Sequence, residues 1–203
     1  MRQHSVLRYT CPQYPPARQG CDRAMSERID VMISSTARDL PDHRQAALDA
    51  CMGLGLHPVM MEHLPALDAD AIDASLKMVD NSTIYLGIFA HRYGYIPTDP
   101  IKNPAGLSIT ELEYQRAVAK GKPRLLFVVA DNHTPDLPHE EAAPDQLRDF
   151  KDRMTKERVV KFFKSPDDLR GHITQALAHW LELCLTWQPA PPPDPANLSE
   201  RGI

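Results

Sequence analysis

What this chain lacks is informative. It has four cysteines, Cys11, Cys21, Cys51 and Cys184, and none falls in a CxxC pair or a Cys/His cluster with metal-ligand spacing. The histidines, His57, His63 and His91 among them, share no ligand spacing either, so no metal site is expected. There is no surplus of charge of one sign: the net charge is −4, with basic and acidic residues interspersed. That pattern carries no electrostatic footprint for nucleic acid or an anionic membrane surface. No apolar run approaches a membrane span, and the first residues lack the apolar segment of a secretory signal. Internal repeats are absent. The default expectation is a soluble, cytoplasmic protein in a reducing setting.

What is present is enough for one domain. The 203 residues are 42% hydrophobic, which supports one substantial core and not two comfortable ones. Residues 1–26 hold Pro12, Pro15 and Pro16 without periodicity and read as a disordered lead-in. Met25 directly precedes the folded pattern and is a plausible natural start, which the intact mass of the native protein would decide. The domain is expected over residues 27–187. Residues 188–203, opening Q-P-A-P-P-P-D-P-A, read as a stiff proline linker to which something is normally attached.

The domain is organised around Ala105 to Ala130, a helix followed by a buried strand. Ser108 and Thr110 each precede a glutamate by three residues, Glu111 and Glu113, so either hydroxyl can cap the helix. Gly121 and Pro123 end it. Arg124 to Val129 then runs without polar alternation, as a strand covered on both faces does.

Around that pair the chain alternates. Strands are expected at Ile29 to Ser34, Pro58 to Met61, Thr83 to Ala90 and Val159 to Phe163. Helices are expected after Asp39, which can cap a start at Leu40 or Pro41, and from about Asp68 to Asp80 with Ile72, Leu76 and Val79 inward. A charged helix follows from Pro144 to Lys156, and a last helix opens at Ser165 and is striped by Leu169, Ile173, Leu177, Trp180 and Cys184. The predicted fold class is α/β: a single doubly wound parallel five-stranded sheet in the flavodoxin-like order 2-1-3-4-5.

In such a sheet ligands bind at the carboxyl ends of the strands, where the strand order reverses. Here that point lies between the first and third strands. It gathers Ser34, Ser35, Thr36 and Arg38 after the first, His91, Arg92, Tyr93 and Gly94 after the third, and the helix start bearing Glu111 and Glu113. Hydroxyls and arginine suit phosphate, tyrosine suits stacking, and a carboxylate suits the sugar, so a nucleotide is the expected small-molecule partner. Each residue also has a structural reading. Glu113 can be the capping-box partner of Thr110, and Glu111 that of Ser108. The hydroxyls can form an ordinary turn, Tyr93 and Gly94 can shape a tight one, and Arg38 and Arg44 can be paired with Asp39, Asp42 and Asp49.

V-M-I-S-S-T-A-R-D-L-P-D-H-R-Q-A-A-L, then R-Y-G-Y-I-P, then S-I-T-E-L-E-Y-Q-R-A-V-A-K-G-K-P resembles the bacterial family called domain of unknown function 4062, over roughly Arg28 to Val129. That family is similar to Toll/interleukin-1 receptor (TIR) domains and nucleoside deoxyribosyltransferases. It often stands N-terminal to STAND-type NTPase or repeat modules in prokaryotic immune proteins. The resemblance implies a TIR-like fold, self-association and an attached C-terminal module. In the deoxyribosyltransferases the catalytic glutamate lies eight residues before the glycine of a G-K motif, in E-x-x-x-A. Glu113 stands eight residues before Gly121, and Ala117 matches the alanine.

Glu113 is thus the implied catalytic carboxylate, Glu111 the runner-up, and N-glycosidic cleavage the implied reaction, with NAD the substrate in TIR enzymes and no separate cofactor. The serine and Trp-Cys context that precedes the glutamate in TIR enzymes is missing here. Two alternatives stand beside hydrolysis: a non-catalytic adaptor of the same fold, and deoxyribosyl transfer, for which Asp131 is placed to protonate the base.

Overall fold

The computed structural model describes residues 28–36, 40–63, 70–130 and 143–186. The lead-in, Arg38, Asp39, Asp131, Trp187 and the proline-rich tail lie outside the described residues. The order of elements is β1 (Asp30–Ser35), α1 (Pro41–Gly53), β2 (His57–Val59), a single 3-10 turn (Met61–His63), α2 (Ala71–Asn81), β3 (Ile84–Phe89), α3 (Ile109–Ala119), β4 (Arg124–Val129), α4 (Pro144–Glu157), β5 (Lys161–Phe163) and α5 (Pro166–Thr186). The five strands form one sheet in the order β2-β1-β3-β4-β5, and each neighbouring pair runs parallel. The fold is therefore α/β with the expected strand order.

β3 lies at the centre and all six of its residues are buried, which is why its sequence shows no polar alternation. The sheet divides the core in two. Val31, Ile33, Leu86, Ile88, Phe127 and Val129 point to the face covered by α1 and α5, through Ala47, Cys51, Leu169, Ile173 and Leu177. Met32, Tyr85, Phe89, Leu126 and Val128 point to the face covered by α2, α3 and α4, through Met78, Val79, Tyr114, Ala117, Phe150 and Met154. Leu169, Ile173 and Leu177 are fully buried, each worth about 2 kcal/mol of apolar burial. Trp180 and Cys184 continue the stripe but are only half-buried.

Several boundaries differ from the sequence reading, for local reasons. β2 begins at His57 and stops at Val59, because Met61 to His63 coil into the 3-10 turn. β5 spans only Lys161–Phe163, and Val159 is 96% exposed, since only three residues pair with β4. α1 has Leu40 at its cap position with no side-chain cap, and Pro41 takes the first helical place. α2 starts at Ala71, where Asp70 accepts the Asp73 N–H at 3.0 Å. α5 opens as expected: Ser165 accepts the Asp168 N–H at 3.2 Å, and Asp168 accepts from Lys164 N at 3.0 Å.

Candidate functional site

Successive strand residues face opposite sides of a sheet, and this separates the two serines that end β1. Ser34 faces α2 and α3, and its Oγ donates to Oε2 of Glu113. Ser35 faces α1, and both its carbonyl oxygen, at 2.9 Å, and its hydroxyl receive the guanidinium of Arg44. Arg44 is buried and pairs outward with Glu62, which is half-exposed. The hydroxyl cluster read from the sequence therefore serves two separate networks.

Glu113 is 4% exposed. Besides Ser34 it accepts Ser75 Oγ from α2, at 2.6 Å, on Oε1. Tyr85 of β3 donates its phenol proton to Ser34 Oγ at 2.9 Å. Burial pushes the Glu113 carboxyl above its ordinary range, while the Ser34 and Ser75 hydroxyls and the nearby Arg44 charge pull it back down.

Glu111 goes elsewhere. Two residues along a helix turn the side chain by about 200°, so Glu111 and Glu113 leave α3 in opposed directions. Glu111 accepts the Tyr93 hydroxyl at 2.6 Å, the Arg153 guanidinium of α4, and Gln115 Nε2 at 3.3 Å. Arg153 also lies over the Phe150 ring, 5.8 Å from its centroid. The helix cap is Ser108, whose Oγ accepts the Glu111 N–H at 3.2 Å. The Thr110–Glu113 capping box does not form, since Glu113 is taken up by β1 and α2. The Glu111 carboxylate is likewise engaged by Tyr93 and Arg153, so Ser108 caps without a carboxylate reaching back.

The segment between β3 and α3 closes over this edge. Tyr93 is 2% exposed, its ring edge-on to Phe150 at 6.4 Å, so it presents no face for stacking. Burial first, and then the bond to Glu111, pushes its phenol up to about 12. Gly94 follows with φ +102°, and a Cβ there would lie 3.2 Å from Thr110 Oγ1 and 3.3 Å from Thr36 Cγ2. Thr36, Gly94 and Thr110 thus meet at the switch point between β1 and β3. Arg92 beside them is half-exposed. Asn103 braces the segment, donating to Pro97 O at 3.0 Å and Leu107 O at 2.8 Å while accepting Leu107 N at 2.9 Å. Lys102 ties it to Asp70 and Asp73 at the start of α2.

The structure thus brings Ser34 and Glu113 into contact, sets Ser35 and Glu111 in neighbouring networks, and places Arg92 and Gly94 at the rim. Arg38 lies outside the described residues. Sequence reasoning missed Ser75, Tyr85 and Arg153. Ser75 carried a faint signal, a small hydroxyl on the inward side of α2 among Ile72, Met78 and Val79, all of them buried. Tyr85 carried another, a polar tip inside the most apolar strand. Arg153 was one charge among many on α4. Among the described residues no group of three or more His, Cys, Asp and Glu side chains is arranged to hold a metal ion.

A buried carboxylate flanked by hydroxyl donors, at the edge where a doubly wound sheet takes ligands, is suited to stabilising positive charge in a water-poor site. The family model for the domain of unknown function DUF4062 matches residues 30–178, most of the chain. The chain belongs to the DUF4062 family. A search of curated proteins found no match to it. Among the described residues of this DUF4062 domain no helix is long and apolar enough to cross a membrane.

Proposed function

We propose that this DUF4062 domain is a TIR-like N-glycosidase that hydrolyses NAD or a related nucleotide, with Glu113 as the carboxylate at the reacting sugar. One observation carries the reading: Glu113 is neither a helix cap nor a solvated surface charge, but a buried carboxylate held by β1 and α2 at the switch point. The chemistry asks little more. Nicotinamide leaves a ribosyl pyridinium as a neutral base, so no general acid is needed. The C1′–N bond breaks with its electron pair going to nicotinamide, and the developing oxocarbenium ion is stabilised, or trapped covalently, by the Glu113 carboxylate. Water then supplies the hydroxyl on C1′ and releases one proton. A second carboxylate, which glycosidases use mainly to protonate a poorer leaving group, is not required. Glu111, tied to Tyr93 and Arg153, is left a bracing role.

On this reading Arg92 meets the phosphates together with Thr36 and Arg38, the Ser34 and Ser35 hydroxyls stay with Glu113 and Arg44, and Tyr93 shapes the rim instead of stacking. Self-association, an attached NTPase or repeat module, a role in prokaryotic immune signalling and a cytoplasmic location complete the proposal, all on the strength of the family resemblance.

A second reading is a non-catalytic adaptor of the same fold, favoured by the fact that both oxygens of Glu113 already accept hydrogen bonds. Incubation of the purified chain with NAD at high protein concentration separates the two. Nicotinamide release that Glu113→Gln abolishes supports the enzyme. No release, even from a chain fused to an oligomerising tag, supports the adaptor.

A further inference from the structure

Two hydroxyl groups converge on the Glu113 carboxylate, and a third donates to one of them. A hydroxyl has a single proton to donate, so the order in which these protons are committed can be followed. Tyr85 gives its proton to Ser34 Oγ at 2.9 Å. Ser34, already accepting from Tyr85, gives its own to Oε2 of Glu113. Ser75 gives its proton to Oε1 at 2.6 Å. Both carboxylate oxygens therefore accept. A proton placed at either of these accepting positions would face a hydroxyl that is already donating toward it.

The ends of this chain are fixed independently. Tyr85 is fully buried, with Tyr114 edge-on at 6.3 Å, so its ring has little freedom to swing the hydroxyl away. Burial, and then the charge of Glu113, pushes the phenol's ionisation well above its ordinary range, so Tyr85 keeps the proton that it donates to Ser34. Ser75 is held at its place on α2 because, nearer the C-terminal ends of the two helices, Asp80 receives Arg116 of α3 through bonds of 2.7 and 2.6 Å.

We propose that Tyr85, Ser34 and Ser75 form a one-way donor relay that holds Glu113 as an oriented, ionised carboxylate, with Tyr85 and Ser75 acting as positioning residues that touch no ligand. The relay rests on its own geometry, and only its consequence for turnover rests on the N-glycosidase reading. Other groups also act on Glu113. From α1, Arg44 favours its charged form, and from the 3-10 turn Glu62 opposes it. On α2, Asp73 is committed to Lys102 and Asp80 to Arg116, and Lys77 is exposed. On β1, Asp30 is engaged by Arg28 and His57 at the far end of the strand.

The test is a ¹³C-carboxyl NMR titration of Glu113 in the full chain, assigned by loss of the signal in Glu113→Gln, and repeated in Tyr85→Phe and Ser75→Ala. Phenylalanine keeps the ring packing of Tyr85, and Ser75→Ala is a smaller change should Tyr85→Phe fold poorly. The relay predicts a midpoint raised by about one pH unit in each variant, since each removes support for the charged form. A midpoint unmoved in both overturns it.

NAD turnover is followed in parallel. The acid limb of the kcat profile is expected to move up with the NMR midpoint in Tyr85→Phe. Shifted midpoints without turnover in any form of the chain would refute the N-glycosidase reading and leave the relay standing. Turnover with unshifted midpoints would do the reverse.

Discussion

Ser75 on α2 donates to Oε1 of Glu113 on α3 at 2.6 Å, joining side chains 38 residues apart, and this contact ties the candidate site to the packing of two helices. Further along the same pair, Arg116 holds Asp80 through two bonds, and Lys122 Nζ donates to Asp80 O at 2.8 Å. The polar clamp at the surface and the buried bond above it share one helix–helix interface. The seat of Glu113 is thus set by how α2 docks on α3 as much as by α3 itself.

A carboxylate placed this way costs stability when charged. Burial raises the Glu113 carboxyl from an ordinary 4.5, so the folded state binds that proton more tightly than the unfolded chain. Its contribution to stability is therefore greatest below 4.5 and falls as pH rises through the raised value. Glu113→Gln removes the charge and keeps the shape. Thermal unfolding between pH 4 and 8 should show a flatter pH dependence in the variant, which compares best with the parent near neutrality, where the parent bears the buried charge. The amide nitrogen, unable to accept from Ser34 or Ser75, adds a pH-independent loss of on the order of 1 kcal/mol. A pH profile that the substitution leaves unchanged would mean that the folded and unfolded chains bind the Glu113 proton equally, and would overturn this account.

Tyr93 and Glu111 make the opposite kind of contact. The phenol supplies one of the few donors to a carboxylate that is 2% exposed, and Arg153 reaches it from α4. Tyr93→Phe should cost about 1.5–3 kcal/mol in urea unfolding, the range for a hydrogen bond to a charged group. Faster hydrogen exchange over residues 91–96 should accompany it, because the phenol ties that segment to α3. Unchanged exchange there would show that other bonds, among them Ile109 N–H to Tyr95 O at 2.9 Å, hold the segment without the phenol.

The fold was legible because its signals are strong and local. A short unbroken apolar run rich in β-branched and aromatic residues reads as a central strand in β3, and Gly121 with Pro123 reads as a helix stop. Boundaries slipped where tertiary pairing decides them: β5 is as long as its three partners on β4, and nothing in Val159 announces that it is left outside. The contact at the candidate site was legible from its place in the topology, which put Ser34 near Glu113, but the partners of these two were not. Whether Glu113 caps α3 or turns to the sheet depends on Ser34 and Ser75, which lie far away along the chain. Tyr93 read as a stacking surface because sequence shows an aromatic ring without showing which way Gly94 turns the chain.

That turn can be tested directly. Gly94 has φ +102°, a conformation that L side chains rarely adopt, and a Cβ would also press on Thr110 Oγ1 at 3.2 Å and Thr36 Cγ2 at 3.3 Å. Gly55, with φ +71° and nothing within 4 Å of an added Cβ, offers a control that carries strain without crowding. Gly94→Ala should destabilise by about 2–3 kcal/mol and Gly55→Ala by about 1 kcal/mol. Equal losses would show that Thr36 and Thr110 give way freely and that the rim is not closely packed.

The two described cysteines report on the opposite face of the sheet. Cys51 lies in the core between α1 and the sheet with no exposed surface, and burial pushes its thiol up to about 12. Almost no thiolate is then present near neutral pH, and the thiolate is the reacting species. Cys184, on the last turns of α5, is half-buried. Alkylation of the native chain followed by peptide mass spectrometry should modify Cys184 and spare Cys51 until denaturant is added. Because α5 packs over α1, Cys51 can react only after that pair opens, so its labelling rate measures the free energy of opening. Cys51 labelling at the rate of Cys184 in the native protein would mean that α5 undocks readily and that the face carrying Arg44 and Ser35 is the pliable side of the domain.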